Sequence, residues 1–170
     1  AVNVKKISIN MLSSADKVAG QGVGSAYLEQ VKLVREGGAD LFDVYINSRK
    51  KCDIVHCHTI DPINFIRMKK GKHVNVCYVH FLPDTLNGSI QLPKLAFSLF
   101  KRYVVRFYKT ADYLVVVNPM FMNELEVYGI PREKMVYIPN YVSKQDFYKK
   151  SQSERAALRK KYEIDEAAFV

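Results

Sequence analysis

Alternating strand-like and helix-like segments predict an α/β protein: a Rossmann-like, doubly wound parallel sheet. Three observations carry that prediction. Short apolar stretches recur along the chain with longer amphipathic stretches between them. The clearest of them, Tyr113-Leu114-Val115-Val116-Val117, is nearly all apolar, as expected of a strand covered on both faces. Helix boundaries are also marked, by Asp61-Pro62 and Pro119 at starts and by Gly37-Gly38 and Gly129 at ends.

The elements follow in order. Residues 7–12 alternate at period two and form the first strand. Residues 13–24 are a loop rich in small side chains, after which Ser25 caps a helix carrying Tyr27, Leu28, Val31, Leu33 and Val34. Residues 41–46 and 53–58 are the second and third strands, and Asp61-Pro62 opens a short helix. Residues 74–80 make the fourth strand, residues 94–110 a long helix and residues 113–117 the fifth strand. A helix from Pro119 to Gly129 and a sixth strand over residues 135–138 complete the alternation. Residues 152–162 form a charged helix, and residues 164–170 resemble the beginning of another strand. A strand that starts where the chain stops predicts the N-terminal part of a longer protein. The expected division is an N-terminal domain over 1–150, then a linker and the first strand of a second domain over 151–170.

Composition excludes several classes. The 170 residues, 48% hydrophobic and 25% charged, fit one globular domain and exclude a disordered tail, a collagen-like rod or a coiled coil. Apolar runs reach about five residues where a membrane-spanning helix needs about 20, and the N-terminus has no secretory pattern. Three irregularly spaced cysteines fit a reducing cytoplasm better than a disulfide framework. The net charge of +9 points to an anionic partner: nucleic acid, a membrane surface or a phosphorylated ligand. Nucleic acid is disfavoured, because no helix-turn-helix, RNA-recognition or finger signature is present.

Ligands of such sheets bind at the carboxyl ends of the strands, which singles out Gly22, Gly24, His58, His80, Asn118 and Asn140. The stretch Gly20-Gln21-Gly22-Val23-Gly24-Ser25 suits an oxyanion-facing loop or a plain flexible connector. It is not a dinucleotide fingerprint, because Tyr27 occupies the third glycine position. His56-Cys57-His58 places both histidines on one face of a strand and the cysteine on the other. Without a second ligand cluster this is no metal site. His80 suits a hydrogen bond to a substrate hydroxyl or proton transfer, and equally a histidine satisfied by backbone. On the long helix, with Lys94 at 0°, Arg102, Arg106 and Lys109 fall at about 80°, 120° and 60°, and Lys101 near −20°. Phe97, Leu99, Phe100, Tyr103, Val104, Phe107 and Tyr108 occupy the remaining half. The basic face formed by Lys94, Lys101, Arg102, Arg106 and Lys109 is suited to an anionic lipid surface; the plainer alternative is a helix packed on the sheet with its charges merely solvated.

Several motifs together resemble a known family. Ala111-Asp112-Tyr113-Leu114-Val115-Val116-Val117-Asn118 resembles its "AD-x-hydrophobic-S" pattern. Gly129-Ile130-Pro131-Arg132-Glu133-Lys134-Met135 resembles "GIP-x-x-K-hydrophobic", and Ile138-Pro139-Asn140-Tyr141-Val142 resembles "IPNGVD". Residues 53–58 are similar to "DIVHxH", and Val79-His80 to "xxHD". The family is the family-4 retaining glycosyltransferases of the GT-B fold, and within it the chain is most similar to Gram-positive enzymes that build glycosyl-diacylglycerols. Asn118 replaces the usual serine, and Tyr141 with Ser143 departs from the usual glycine and aspartate.

The resemblance implies two Rossmann-like domains with the active site between them, of which this chain supplies the acceptor side. It implies transfer of a hexose from a UDP-sugar to diacylglycerol or a glycosyl-diacylglycerol, with no metal or other cofactor. His80 would then be the catalytic residue, with Gly22, Gly24, His58, Asn118 and Asn140 binding substrate. The implied partners are a nucleotide-sugar donor and an anionic membrane surface holding the lipid acceptor, at the inner face of the cell membrane. The 170 residues alone are expected to be catalytically silent. Two alternatives stay open: a related enzyme acting on a soluble or other acceptor, and a non-catalytic anion- or lipid-binding module.

Overall fold

The computed structural model describes residues 5–15, 22–86, 92–141, 144 and 147–169. By compactness the chain divides into two units, Ala1–Pro139 and Asn140–Val170. Among the described residues the first holds six strands, β1 (Ile7–Leu12), β2 (Phe42–Ile46), β3 (Ile54–Cys57), β4 (Val74–Val79), β5 (Tyr113–Val116) and β6 (Met135–Tyr137), and four α-helices, α1 (Gly22–Gly37), α2 (Pro62–Lys70), α3 (Lys94–Thr110) and α4 (Pro119–Val127). All strand pairs are parallel, in the order β2-β1-β3-β4-β5-β6. The predicted strands and helices are all present in this unit, most boundaries moving by a residue or two.

Crossover handedness explains where the helices lie. The chain steps one way from β1 to β2 and the other way from β3 to β6, and crossovers of this kind are right-handed. The helix of the first step therefore lands on one face and those of the later steps on the opposite face. Accordingly α1 contributes Tyr27 and Val31 to a small core with Ile9 and Met11. On the other face α2, α3 and α4 bury Met68, Val104, Phe107, Tyr108 and Leu125 against Leu12, Val55, Cys77, Val79, Leu114 and Val116. Fully burying one such side chain contributes about 1.5–3 kcal/mol, so this second core holds the unit together. Cys77 behaves as the small core hydrophobe its strand position suggests, with its Sγ 3.5 Å from the Met68 sulfur.

Three expectations are corrected. Helix α1 begins at Gly22, three residues before Ser25. Ser25 is therefore not its cap, and Gly22 and Gly24 form the first turn rather than a loop. Helical glycine costs about 1 kcal/mol, which burial of Gly24, Tyr27 and Val31 offsets. Gly20 and Gln21 lie outside the described residues. Leu99 is not on the packed half of α3; it is 58% exposed, because the buried arc narrows to Val104, Phe107 and Tyr108. Residues 164–169 form no strand. In the second unit they turn back after α5 (Gln152–Lys161), where the Arg159 guanidinium donates to the carbonyls of Asp165, Glu166 and Ala168. Helix α5 itself starts with a reciprocal capping box between Ser151 and Glu154.

Candidate functional site

The strand order reverses between β1 and β3, and this is where a doubly wound sheet opens a crevice beyond its strand ends. His58 follows β3 at that point, its amide donating to the Leu12 carbonyl at 2.8 Å. In β3 and β4, Cys57 pairs with Cys77. The next residues, His58 and Tyr78, consequently stand side by side and stack at 5.1 Å with 15° between their planes. Two-residue alternation then adds His56, 4.5 Å from His58, and His80, 4.6 Å from Tyr78 and 5.8 Å from His58.

Helix α1 closes this ladder of rings from above. The Tyr27 ring meets His58 edge-on at 5.0 Å, and its hydroxyl donates to the Met11 carbonyl at 3.1 Å. Gln30 Nε2 donates to the Tyr78 hydroxyl at 3.2 Å. Tyr27, His58 and Tyr78 are buried, whereas His80 is half-buried at the outer end of the row. Among the described residues, neither ring nitrogen of His58 has a hydrogen-bond partner, nor does Nε2 of His56 or of His80.

Protonation follows from this environment. Burial holds His80 down to about 4 from the ordinary 6.5. His56 is also held near 4, first by burial and then by the neighbouring His80. His58 is pushed down further, again mainly by burial, with His56 and His80 adding to it. At neutral pH all three rings are uncharged. A neutral imidazole with a shielded nitrogen exchanges hydrogen bonds with a sugar or lipid hydroxyl without carrying net charge. His58 lies deepest and supports the row by stacking, which leaves the half-buried His80 as the more accessible of the two strand-end histidines.

The remaining candidates are placed differently. Among the described residues, a Cβ at Gly22 would meet nothing within 4 Å. Asn118 follows β5 but caps α4, its side-chain oxygen accepting from the Met120 amide at 2.9 Å. Serine and asparagine cap equally well, which explains the substitution noted at this position. Asn140 opens the second unit. Asp61 caps α2 by position only; its carboxylate accepts instead from Thr59 Oγ1 at 2.5 Å and Ser14 Oγ at 3.0 Å. No group of three or more metal-binding side chains is assembled among the described residues. The sequence reading missed Tyr27, Gln30 and Tyr78. Tyr78 had a usable signal, since it precedes His80 by two residues on one strand.

On α3, Lys94, Arg102, Arg106 and Lys109 are exposed. Lys101 is engaged: its ammonium binds both Asp84 carboxylate oxygens at 2.8 Å and lies 5.2 Å above the Tyr128 ring. Tyr128 also donates to Asp84 at 2.5 Å, and together these contacts hold that carboxyl below its usual range. Leu95 is 76% exposed and stands with Leu99 on the same outward face as the arginines. An open groove of about 790 Å³ runs along this face past Ser98, Arg102 and Arg106. No helix among the described residues is long and apolar enough to cross a membrane.

An all-parallel sheet in the order β2-β1-β3-β4-β5-β6, with a polar ring cluster beyond its strand ends, defines a Rossmann-like domain of the kind found as the N-terminal half of GT-B proteins. Residues 31–146 match the sequence model of Glycosyltransferase Family 4, and the chain belongs to that family. It is 44% identical over 168 residues to the alpha-galactosylglucosyldiacylglycerol synthase of Streptococcus pneumoniae (strain ATCC BAA-255 / R6), which covers 98% of this chain and 45% of that protein. The fold is also that of Anabaena Alr3699/HepE. Its complex with UDP and glucose superposes with a TM-score of 0.61 at 13% identity, over 92% of this chain and 50% of that one. Its complex with UDP-glucose gives 0.61 at 15% identity over the same shares. The chain thus spans about half the length of the relatives it matches.

Proposed function

We propose that this chain is the acceptor-side half of a membrane-associated retaining glycosyltransferase, one that moves a hexose from a UDP-sugar to diacylglycerol or a glycosyl-diacylglycerol. The observation that carries the reading is 44% identity, across nearly the whole chain, to a protein named as a synthase of a galactosylglucosyl-diacylglycerol. In this reading residues 1–150 form the acceptor domain and 151–170 lead into a donor-binding domain. The 170 residues alone transfer no sugar.

The geometry supports the following roles. His80, uncharged and half-buried at the end of the row, bonds a hydroxyl of the donor sugar near the reacting carbon and helps place it in line with the acceptor. The first turn of α1, at Gly22 and Gly24, turns backbone amides and the positive end of the helix dipole toward the diphosphate or the acceptor hydroxyl. The outer face of α3 rests on anionic lipid at the inner face of the cell membrane. Lys94, Arg102, Arg106 and Lys109 supply charge, and Leu95 and Leu99 supply apolar contact. Lys101 contributes less, because Asp84 already neutralises it.

The test uses the full-length protein, labelled UDP-glucose and UDP-galactose, and vesicles holding either diacylglycerol or glucosyl-diacylglycerol. A labelled glycolipid supports the reading, and the productive pair identifies sugar and acceptor. Absence of lipid product with every pair overturns it in favour of a soluble acceptor. In the productive assay, His80→Ala lowers turnover by about 100-fold or more with little change in melting temperature. Near-normal turnover removes His80 from the mechanism.

A further inference from the structure

The connection from β2 to β3 runs over the same sheet face as α2, α3 and α4, yet residues 47–53 form no helix. Seven residues cross where a doubly wound sheet usually carries a crossover helix, and a cavity of about 410 Å³ remains beside them. That size falls within the range of small-molecule sites. The connection is tied to β1 and the residue after it at both ends, through Asn47 with Ser13 and Asp53 with Ser8, and also at Ser48. Asn10, buried in β1, donates to the Ser48 carbonyl at 2.7 Å and accepts from the Ser48 amide at 3.0 Å. Asn47 just before it adopts a left-handed φ of 45°, a conformation asparagine tolerates.

Five cations line the cavity: Arg49, Lys50 and Lys51 from the connection, and Arg67 and Lys70 from α2. No carboxylate lines it among the described residues, and none of the five forms an ion pair there. The Arg67 guanidinium is anchored at 3.3 Å on the Ser48 carbonyl, and the Lys50 ammonium stands 4.9 Å above the Tyr45 ring. Ile63 and Ile66, 63% and 49% exposed, share the outward stripe of α2 with Arg67 and Lys70.

The geometry points to a phosphate-binding site in this cavity, separate from both the histidine row and the basic face of α3. Ammonium and guanidinium residues lining one cavity, with no acid lining it among the described residues, match a phosphate's charge and its acceptor oxygens. The ligand is either the phosphate of a lipid headgroup, with Ile63 and Ile66 against its apolar part, or a soluble phosphate ester. The assignment does not depend on which sugar or acceptor the protein uses.

Two charge-matched variants of the full-length protein test it. Arg67→Gln/Lys70→Gln alters the cavity, and Lys69→Gln/Lys72→Gln removes equal charge from α2 and its end outside it. The probes are inorganic phosphate and glycerol 3-phosphate, titrated calorimetrically, and phosphatidylcholine vesicles with and without phosphatidylglycerol. The cavity pair weakens binding by about tenfold or more, and the control pair by less than about twofold. Loss confined to vesicles identifies a lipid headgroup; loss confined to the free phosphates identifies a soluble ester. Equal effects of the two pairs, or no effect of either, overturn the assignment. Because Arg67 also holds Ser48, Lys51→Gln/Lys70→Gln leaves that bond intact and has to reproduce the loss.

Discussion

Replacing His56 with phenylalanine should make the protein less sensitive to mild acid. His56 is held near 4 in the folded chain against an ordinary 6.5. Its Nε2 is shut off from solvent without a hydrogen-bond partner among the described residues. The folded state thus favours the neutral ring. Above about pH 6.5 both states are neutral and nothing is lost. As the pH falls from 6.5 toward 4, the unfolded chain takes up a proton that the folded chain refuses, and stability declines. Linkage puts the loss at about pH 5 near 2 kcal/mol for His56, and His80 adds a similar amount. Against a total of roughly 5–15 kcal/mol, that is a large fraction. Urea unfolding at about pH 7.5 and pH 5 measures it directly. His56→Phe should lose about 2 kcal/mol less than the parent between the two conditions. Any packing cost of the new ring cancels, because each protein is compared with itself. Carboxylates such as Asp84, held below the usual range, titrate alike in both proteins. Parallel losses in the two proteins would refute the claim that the ring is buried in its neutral form.

Two further outcomes are expected. Changing Arg102, Arg106 and Lys109 together to glutamine should weaken binding to phosphatidylglycerol vesicles by about two orders of magnitude at low salt, from roughly 1 kcal/mol per cation; unchanged co-sedimentation would show that the charges are only solvated. Asn118→Ala removes the bond to the Met120 amide and should cost about 1 kcal/mol, read as a melting temperature roughly 2–4 °C lower.

Sequence periodicity defined the secondary structure because each signal was local. Helix α3 spans residues 94–110 as expected, since Pro93 fixes its start and the apolar period persists to Tyr108. The site was only half legible. His58 and His80 follow from the rule that ligands gather at strand ends, but stacking of His58 on Tyr78 depends on β3 pairing with β4 in one register. Leu99 was misplaced because a helical wheel gives an angle and not the width of the buried arc. The turn over residues 164–169 escaped notice because Arg159, which fixes it, lies on the preceding helix. The cavity beside Ser48 was invisible, because it depends on a helix that residues 47–53 do not form.

The unequal coverage of the sheet divides tolerance to change between its two sides. Among the described residues, sixteen buried side chains knit three helices to one face, while four form the core beneath α1 on the other. The histidine row sits on the lightly covered side. With the proposed substrate site there, substitutions would alter what the crevice accepts while the larger core keeps the chain folded. Drift in specificity among descendants of such a domain is therefore expected to concentrate under α1, with the opposite side held nearly constant by folding.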